Sequence, residues 1–423
     1  MRWLWVFVLH RPDEYVYSDM GTYVRGAERF LDGNYVQTVY DTLYPPGTAY
    51  FLGVLHHFDS SWQLAISVAF LMSSAVPLLC GLIAFQLFGI RVALVSVTLA
   101  SLYWSFVDYA GYFLAEPLLI FCLALGMALL VLGLRVKRRW LAVGLGFGTG
   151  VVLGASATIK SVGLLAGCAE AAALALVATR HGSRRIWCVL LAATVGVALL
   201  VVPASVRCTR VQDGRFCLLG NEVGLNVLLG HRPGLRGIRL YDEKRETVMT
   251  FNCPTAMQKG YTGILQVEHG AYESGELSAR AWEWIREHPV ESVLLSIENV
   301  FDNFVGGVPW PSSETDYRGW ALLSQQFYYL FVLFPAVFVL YSRRKEIIAL
   351  SPAAVGLLLL IVPIFALFAA SFIAKGEPRY RIPFDVFGIV LASLFYGAGG
   401  DRADPLDLAP PGGAFDPSSE DLG

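Results

Sequence analysis

An aspartate near the start of a predicted short helix is the first candidate for chemistry. A spacing of four residues joins Asp19, Tyr23, Ala27 and Leu31, and Gly33 follows them. Recurrence at this interval predicts an amphipathic helix. A carboxylate at its start either caps free backbone N–H groups or takes a proton from a reacting group. The spacing alone leaves both roles open for Asp19.

Two further motifs place polar side chains at the edges of predicted membrane spans. Tyr44 opens the sequence YPPG at 44–47, where two prolines forbid a helix and predict a rigid turn. Glu116 lies in the sequence AEP at 115–117, with the proline at a position that the first turn of a helix tolerates. An ionisable group at this depth is costly and typical of a functional site. The alternative role of Glu116 is a structural helix cap.

A third motif contributes cations. Lys375, Arg379 and Arg381 lie within seven residues of one another, with Tyr380 between the arginines. The planar guanidinium group suits phosphate oxygens, so these residues favour a specific phosphate site; neutralisation by lipid headgroups is the other interpretation. Lys160 follows another apolar stretch and either joins that site or extends towards the membrane surface.

The composition requires a membrane around these residues. Of 423 residues, 55% are hydrophobic and 16% are charged, a balance that leaves a water-soluble globule coated with apolar surface. A net charge of −2 excludes the basic surface typical of nucleic-acid binding. Apolar stretches of about 18 to 25 residues match the hydrocarbon thickness of a bilayer. We predict ten spans, near 3–10, 62–88, 91–107, 113–134, 140–158, 161–178, 186–205, 320–341, 347–373 and 382–398.

Basic clusters predict the orientation. Arginines and lysines at 135–139, 180–185 and 343–345, together with Arg91, emerge on one side of the predicted spans. The positive-inside rule makes that side cytoplasmic. The candidate residues then face the periplasm or the cell exterior from an inner (plasma) membrane protein. The stretch at 3–10 is too short to cross a bilayer, and we interpret it as the remainder of a longer first span.

Four regions follow from this pattern. Residues 1–205 form an N-terminal transmembrane region with a first outer loop at 11–61, and 206–319 form a small periplasmic insertion. Residues 320–398 supply the last spans, and the acidic, Pro- and Gly-rich tail at 399–423 is predicted to be disordered in the cytoplasm. Within the insertion, two helices broken at His288-Pro289 are predicted to lie against the membrane surface or the bundle.

The cysteines do not indicate a structural metal site. No CxxC motif and no Cys/His set at zinc spacing occurs among the seven cysteines. If the insertion lies outside the cytoplasm, Cys208 and Cys217 are the pair we expect to form a disulfide. A divalent cation held by the outer carboxylates remains possible as a cofactor, although a full ligand set is not visible.

The ordered set of motifs resembles the membrane glycosyltransferases of the GT-C class, in particular the bacterial family related to protein O-mannosyltransferases and aminoarabinose transferases. The resemblance covers nearly all of residues 1–400. Its elements are the Asp19-to-Gly33 spacing, YPPG at 44–47, AEPLL at 115–119, the lysine of TIKSVGLL at 158–165, and EPRYRIP at 377–383. Each is weak alone, and their order on one face makes the set specific.

The resemblance implies an all-α polytopic membrane fold with periplasmic loop helices. It implies transfer of a sugar from a polyprenyl-phosphate donor to a lipid, glycan or protein acceptor, with inversion at the anomeric carbon. Asp19 would be the general base, and Glu116 would position hydroxyl groups. Arg379 and Arg381 would stabilise the leaving phosphate. The implied substrate-binding residues are Tyr23, Tyr44, Lys160, Lys375, Arg379, Tyr380 and Arg381.

One departure from the family and two other classes of protein keep alternatives open. Many relatives have Asp-Glu at the start of the loop helix, whereas Asp19 precedes Met20 and an Asp13-Glu14 pair lies six residues earlier. Asp13 is therefore a rival base. A transporter or lipid-sugar flippase would also place charges in a membrane cavity, although the paired halves typical of transporters are not evident. A third alternative is an inactive structural subunit.

Overall fold

The computed structural model describes residues 1–31, 42–241, 247–268, 274–351 and 354–397. Gly33 of the first motif and the predicted disordered tail at 399–423 lie outside these residues. The chain begins with a short helix, α1 (Arg2–Leu4), which continues as a π-helical turn at Trp5–Leu9. This segment is too short to cross a bilayer.

The first predicted loop helix is present. It is α2 (Asp19–Leu31), and it packs against α3 (Gly47–Phe58), which follows the YPPG turn. Tyr23 and Ala27 are buried on one face of α2, as their spacing of four residues predicts. Asp19 is the first helical residue because Ser18 before it has a left-handed φ of 51°. The aspartate is thereby fixed at the start of the helix.

Seven helices follow along the chain, and five of them are long and apolar enough to span a membrane. The two shorter ones, α5 and α6, are joined at a bend of 61° measured between Ile90–Leu102 and Trp104–Gly111. The seven helices are α4 (Gln63–Phe88), α5 (Ile90–Leu102), α6 (Trp104–Asp108), α7 (Ala115–Arg135), α8 (Arg139–Ile159), α9 (Val162–His181) and α10 (Arg184–Val211).

The insertion after α10 combines helices with a small sheet. Its three strands lie in the order β2-β1-β3, with β1 antiparallel to β2 and parallel to β3. The sequence analysis did not predict these strands, because each is only six or seven residues long within a polar segment. The elements are α11 (Glu222–His231), β1 (Leu235–Tyr241), β2 (Thr247–Asn252), α12 (Pro254–Gln258), β3 (Gly263–Glu268), α13 (Ser274–Glu287) and α14 (Pro289–Val305).

Two local predictions for this region are confirmed. Cys208 and Cys217 form a disulfide that joins the end of α10 to the following loop. Pro289 separates α13 from α14 and begins the second helix, where its missing N–H costs no hydrogen bond. Helix α14 turns polar residues such as Asn303 inward and apolar residues such as Phe301 outward. This polarity agrees with the predicted membrane contact, which stays a prediction.

The C-terminal region completes the bundle. Helix α15 (Arg318–Tyr328) continues through a π-helical turn at Tyr329–Leu333 into α16 (Phe334–Ile348), and together they span 31 residues. Next come α17 (Val355–Ile373), the short α18 (Pro378–Arg381) and α19 (Asp385–Gly397).

The span count differs from the predicted ten. Seven described helices have the length and hydropathy of a membrane span, and the bent α5–α6 pair makes eight. The remaining predicted segments, 3–10 and 382–398, contain shorter helices. Helix α19 has 13 described residues, fewer than a span needs, and Phe387 and Ile389 on it are fully buried. Burial does not exclude a span, because α7 is also largely buried and has spanning length, so the span at 382–398 stays a prediction.

Candidate active site

A cavity of about 550 Å³ opens at the end of the bundle where α8 joins α9. It lies between the start of α2, the YPPG turn, helix α11 of the insertion and the segment 375–380. Eight of the nine predicted site residues line it: Asp19, Tyr23, Tyr44, Glu116, Lys160, Lys375, Arg379 and Tyr380. The structure therefore brings together residues that are up to 361 positions apart in the chain.

The Asp19 carboxylate is held from both sides. Its Oδ1 accepts a hydrogen bond from the Tyr44 hydroxyl at 3.1 Å, and its Oδ2 lies 3.1 Å from Nη1 of Arg379. Burial and the adjacent Asp19 charge raise the pKa of Tyr44 well above its ordinary value, so this hydroxyl stays protonated and donates. The rival Asp13 instead pairs with Arg11 at 2.9 Å and is not among the residues lining the cavity.

Glu116 and Lys160 form a pair on the cavity wall. Glu116 lies in the first turn of α7, is 2% exposed, and accepts a hydrogen bond from Lys160 Nζ at 2.7 Å. The Lys160 ammonium also lies 4.4 Å from the centre of the Tyr380 ring. Gly47 of the YPPG turn packs closely against the end of α8 beside this pair. A Cβ atom at position 47 would lie 2.7 Å from the Thr158 backbone, which is too close for a side chain. The turn motif thus fits against the end of α8.

The segment 375–380 supplies two cations and their buried counter-ion. Lys375 Nζ lies 2.6 Å from Glu377 Oε1, and Arg379 Nε lies 2.8 Å from Glu377 Oε2. Burial alone would raise the pKa of Glu377, but the two cations outweigh it and lower that pKa. Gly376 permits this arrangement because a side chain there would collide with the Asn299 carbonyl of α14.

Aromatic faces fix the Arg379 guanidinium. Its centre lies 4.9 Å from the Trp310 ring and 5.2 Å from the Tyr380 ring, within the range of cation–π attraction. Burial disfavours the charge of Arg379, but the adjacent Glu377 and Tyr380 raise its pKa well above the ordinary value. Arg379 is therefore a permanent cation that contacts both Asp19 and Glu377.

Arg381 is not in the cavity, which contradicts its predicted contact with the donor phosphate. Its Nε lies 3.1 Å from Asp385 Oδ1, and its Nη groups donate to Asn303 O at 3.2 Å and Gln325 Oε1 at 2.9 Å. The guanidinium also lies 3.7 Å from the Tyr328 ring centre. With its donors used inside the protein, Arg381 joins the C-terminal helices rather than binding a ligand.

The cavity contains residues that the sequence analysis missed. Glu222, in the first turn of α11, is one of its lining carboxyl groups, and its Oε1 lies 3.4 Å from the Ser161 hydroxyl. Burial raises its pKa, with partial opposition from Lys160 and Arg379. Glu222 belongs to no recognised motif, and the helix that it begins was not predicted from the sequence. Glu377 pairs with Lys375 and Arg379 but is not among the described residues that line the cavity; it lies in a recognised motif, of which only the cations and Tyr380 were singled out.

The carboxylates do not form an evident metal centre. No group of three or more His, Cys, Asp or Glu side chains suited to a metal ion occurs in the described ranges. Asp19 is paired with Arg379, and Glu116 with Lys160. The possible divalent cation therefore enters none of the steps considered below.

Comparison with known proteins connects this geometry to a class. Residues 46–207 match the model of a family described as dolichyl-phosphate-mannose-protein mannosyltransferase. This stretch contains Glu116 and Lys160, but neither Asp19 nor the segment 375–380. No curated protein matches the chain.

Two solved structures of an archaeal oligosaccharyltransferase from Archaeoglobus fulgidus share the fold. One is AglB in complex with an inhibitory peptide and a dolichol-phosphate, with 13% identity, a TM-score of 0.53 and coverage of 94% of this chain and 49% of that chain. The other is tethered to an acceptor peptide, with 12% identity, a TM-score of 0.54 and coverage of 94% and 48%. This chain thus spans about half the length of either structure.

The family match and the structural likeness agree with each other and with the motifs. Helices of spanning length surround a cavity at one end of the bundle, and a small insertion covers it. The chain has the fold of the GT-C class of membrane glycosyltransferases and resembles, over residues 46–207, the protein mannosyltransferase family of that class.

Proposed function

We propose that this protein is a membrane enzyme that transfers a sugar from a polyprenyl-phosphate donor to an acceptor bound in the 550 Å³ cavity. One observation carries the proposal: the Asp19 carboxylate shares this cavity with Lys160, Lys375 and Arg379, and Arg379 lies 3.1 Å from Asp19. The family description and the dolichol-phosphate in the AglB structure support this donor class. The acceptor is a lipid, glycan or protein.

The donor phosphate would bind to Lys160, Lys375 and Arg379. A sugar linked through a phosphodiester carries one negative charge, and the departing polyprenyl phosphate carries about two near neutral pH. The cations therefore attract the transition state more strongly than the bound donor, which is the condition for faster chemistry. Their buried counter-ions, Glu116 and Glu377, limit the cost of holding the charges before the donor binds.

In the chemical step, an acceptor oxygen attacks the anomeric carbon as the bond from that carbon to the phosphate oxygen breaks. The bonding electrons go to the phosphate, and the proton of the acceptor hydroxyl passes to Asp19. Direct displacement inverts the anomeric centre. Arg379 couples the departure of the phosphate to the deprotonation of the acceptor. A bound phosphate competes with Asp19 for the Arg379 guanidinium and thereby leaves the Asp19 carboxylate available as a base.

The remaining polar residues would orient the sugar and the acceptor. Tyr44 positions Asp19 by its hydrogen bond, and Tyr23 and Tyr380 add aromatic and hydroxyl surface to the same cavity. Glu116 positions hydroxyl groups, within the limit set by its pairing with Lys160. Glu222 lines the same cavity and hydrogen-bonds a hydroxyl group of the sugar.

The proposed orientation places the cavity at the periplasmic or exterior face of the membrane. The division of the chain into the four regions predicted from the sequence remains part of the proposal. Cysteines introduced at Arg286 in α13 and at Lys345 in α16, both exposed, test this orientation. A membrane-impermeant thiol reagent should label position 286 in intact cells and position 345 only after lysis. The reverse pattern would place the cavity in the cytoplasm.

The substitution Asp19→Asn tests the base. A deletion strain is complemented with wild type or with the variant, and lipid-linked sugars and envelope glycans are measured by mass spectrometry. The variant should insert normally, accumulate the lipid-linked donor and lack the glycosylated product. Retained product would exclude Asp19 as the base, and a lipid-linked sugar that changes membrane face with its phosphate bond intact would indicate a transporter.

A further inference from the structure

A second, smaller crevice lies within the membrane-spanning part of the protein. It has a volume of about 130 Å³ and shares no lining residue with the large cavity. Helices α8, α9 and α10 form most of its walls, with Leu153, Leu174 and Val197 among its apolar side chains. We call it the Glu170 crevice because, among the described residues, Glu170 is the only acidic one that lines it.

Glu170 has no partner among the residues that the structure describes. It is 2% exposed, its Oε2 is fully buried, and it makes no hydrogen bond or ion pair to any other described residue. Thr149 and Thr194 also line the crevice, but their hydroxyl groups donate to the carbonyls of Leu145 and Leu190 on their own helices, each at 2.9 Å. The Glu170 carboxyl group therefore directs unused hydrogen-bonding capacity into the crevice.

This arrangement is costly unless a ligand completes it. In the part of the chain that the structure describes, no Lys, Arg or His lines the crevice, so a carboxylate there lacks a counter-charge. An ion without a partner in hydrocarbon is strongly disfavoured, and a neutral acid without a partner forgoes a hydrogen bond. A ligand that offers one oxygen atom as an acceptor removes this deficit.

The surface of α9 around the crevice is apolar and exposed, as expected for a helix in contact with lipid. Cys168, which lines the crevice, is exposed, and Leu165 and Leu176 on the same helix are also exposed. Glu170 follows Val162, the first residue of α9, by eight positions, which places it about 12 Å along the helix at 1.5 Å per residue. This depth within a helix of spanning length favours entry of a ligand from the bilayer.

We propose that the Glu170 crevice binds an uncharged aliphatic molecule that carries a single hydroxyl or carbonyl oxygen and enters from the bilayer. The apolar walls accommodate the chain, and the Glu170 carboxyl group donates to the oxygen. The absence of a lining cation disfavours phosphates and fatty carboxylates. A volume of about 130 Å³ accommodates one end of a chain rather than a whole lipid. This site is independent of the proposed transferase reaction.

The test uses Glu170 itself as the reporter. Dicyclohexylcarbodiimide partitions into membranes, where a carboxylic acid adds across one of its C=N bonds and the adduct rearranges to a stable N-acylurea. The full chain is reconstituted in phosphatidylcholine nanodiscs, and modification of the peptide containing Glu170 is measured by mass spectrometry. A water-soluble carbodiimide serves as the access control, and Glu170→Gln serves as the unreactive control.

Dodecan-1-ol and dodecane form the matched probe pair. Dodecan-1-ol should slow modification of Glu170 at least fivefold, whereas dodecane at the same membrane concentration should leave the rate unchanged. Equal protection by both probes would show a purely apolar crevice, and no protection by either would exclude binding. Faster labelling by the water-soluble reagent would refute access from the lipid. Each of these three results would overturn the proposal.

A photoreactive dodecanol analogue gives a second readout that does not need the carboxyl group to react. It should crosslink to α8 or α9 in wild type and about tenfold less in Glu170→Leu, while Glu170→Gln, which keeps a donor, should retain most of the crosslinking. Unchanged crosslinking in a folded Glu170→Leu variant would exclude the hydrogen bond. Normal elution and a melting temperature close to that of the wild type establish the fold of each variant.

Discussion

Arg379 offers the sharpest test of the proposed phosphate site. Its guanidinium contacts Asp19 at 3.1 Å and Glu377 at 2.8 Å and lies between the Trp310 and Tyr380 rings. Arg379→Lys keeps the charge but loses the planar fork and the stacking on two rings. Arg379→Gln loses the charge as well. The two variants therefore separate charge from geometry at one position.

The expected magnitudes follow from these contacts. Loss of a charge-assisted hydrogen bond costs about 1.5–3 kcal/mol, which corresponds to roughly a 10- to 150-fold loss at 1.4 kcal/mol per factor of ten. We expect Arg379→Lys to lower kcat/KM for the lipid donor by about tenfold. Arg379→Gln should lower it by roughly a hundredfold. The acceptor KM should change little, because the proposed contact of the guanidinium is with the donor phosphate.

The assay uses purified enzyme in detergent and, as donor, the lipid-linked sugar that accumulates in the deletion strain. Donor and acceptor are titrated separately. Arg381→Lys is the matched control, because that arginine lies two residues away and its donors are used within the protein. It should lower the melting temperature and leave the donor KM unchanged. Equal effects of Arg379→Lys on both substrates, or a donor defect in Arg381→Lys, would refute the assigned roles.

Two further substitutions probe the cavity. Tyr44→Phe removes the hydrogen bond to Asp19 while keeping the ring that packs against Tyr23. We expect kcat to fall about tenfold and the melting temperature to stay unchanged. An unchanged kcat would show that Tyr44 does not position the base. Glu222→Gln tests linkage: burial raises the pKa of Glu222 in the folded protein above its ordinary value of 4.5. The folded state then binds more protons than the unfolded state, so this group favours folding below pH 4.5 and loses that contribution as the pH rises through the raised value. Thermal unfolding between pH 4.5 and 7 should show a smaller decline in stability for the variant, and parallel curves would contradict the assignment.

Features with a local cause were predictable from the sequence. Helix α2 follows from the spacing of four residues that begins at Asp19, and the break before α14 follows from Pro289. The Cys208–Cys217 disulfide closes a short loop in the predicted exterior segment. Most of the spanning helices follow from stretches of apolar residues. In each case, the residues that determine the feature are close together in the chain.

Arg379 and Arg381 show where this reasoning fails. Both belong to one motif, and the sequence analysis assigned both to the donor phosphate. They lie in the short helix α18, where two residues at 3.6 per turn are rotated by roughly 200° about the axis. One side chain therefore points into the cavity and the other into the protein. The motif specifies the cations, but only the packing around α18 determines which of them faces the ligand.

Burial was likewise decided by tertiary structure. Helix α19 has the hydropathy of a span, and its burial inside the bundle is visible only in the structure. Glu170 and Glu222 belong to no motif, so the surroundings of these two residues are visible only after helices distant in sequence pack together. The sequence by itself determined a polytopic membrane protein with Asp19 at the start of a loop helix. Tertiary structure alone determined that Asp19 meets Arg379, because the distance between residues 360 positions apart depends on how every intervening helix packs.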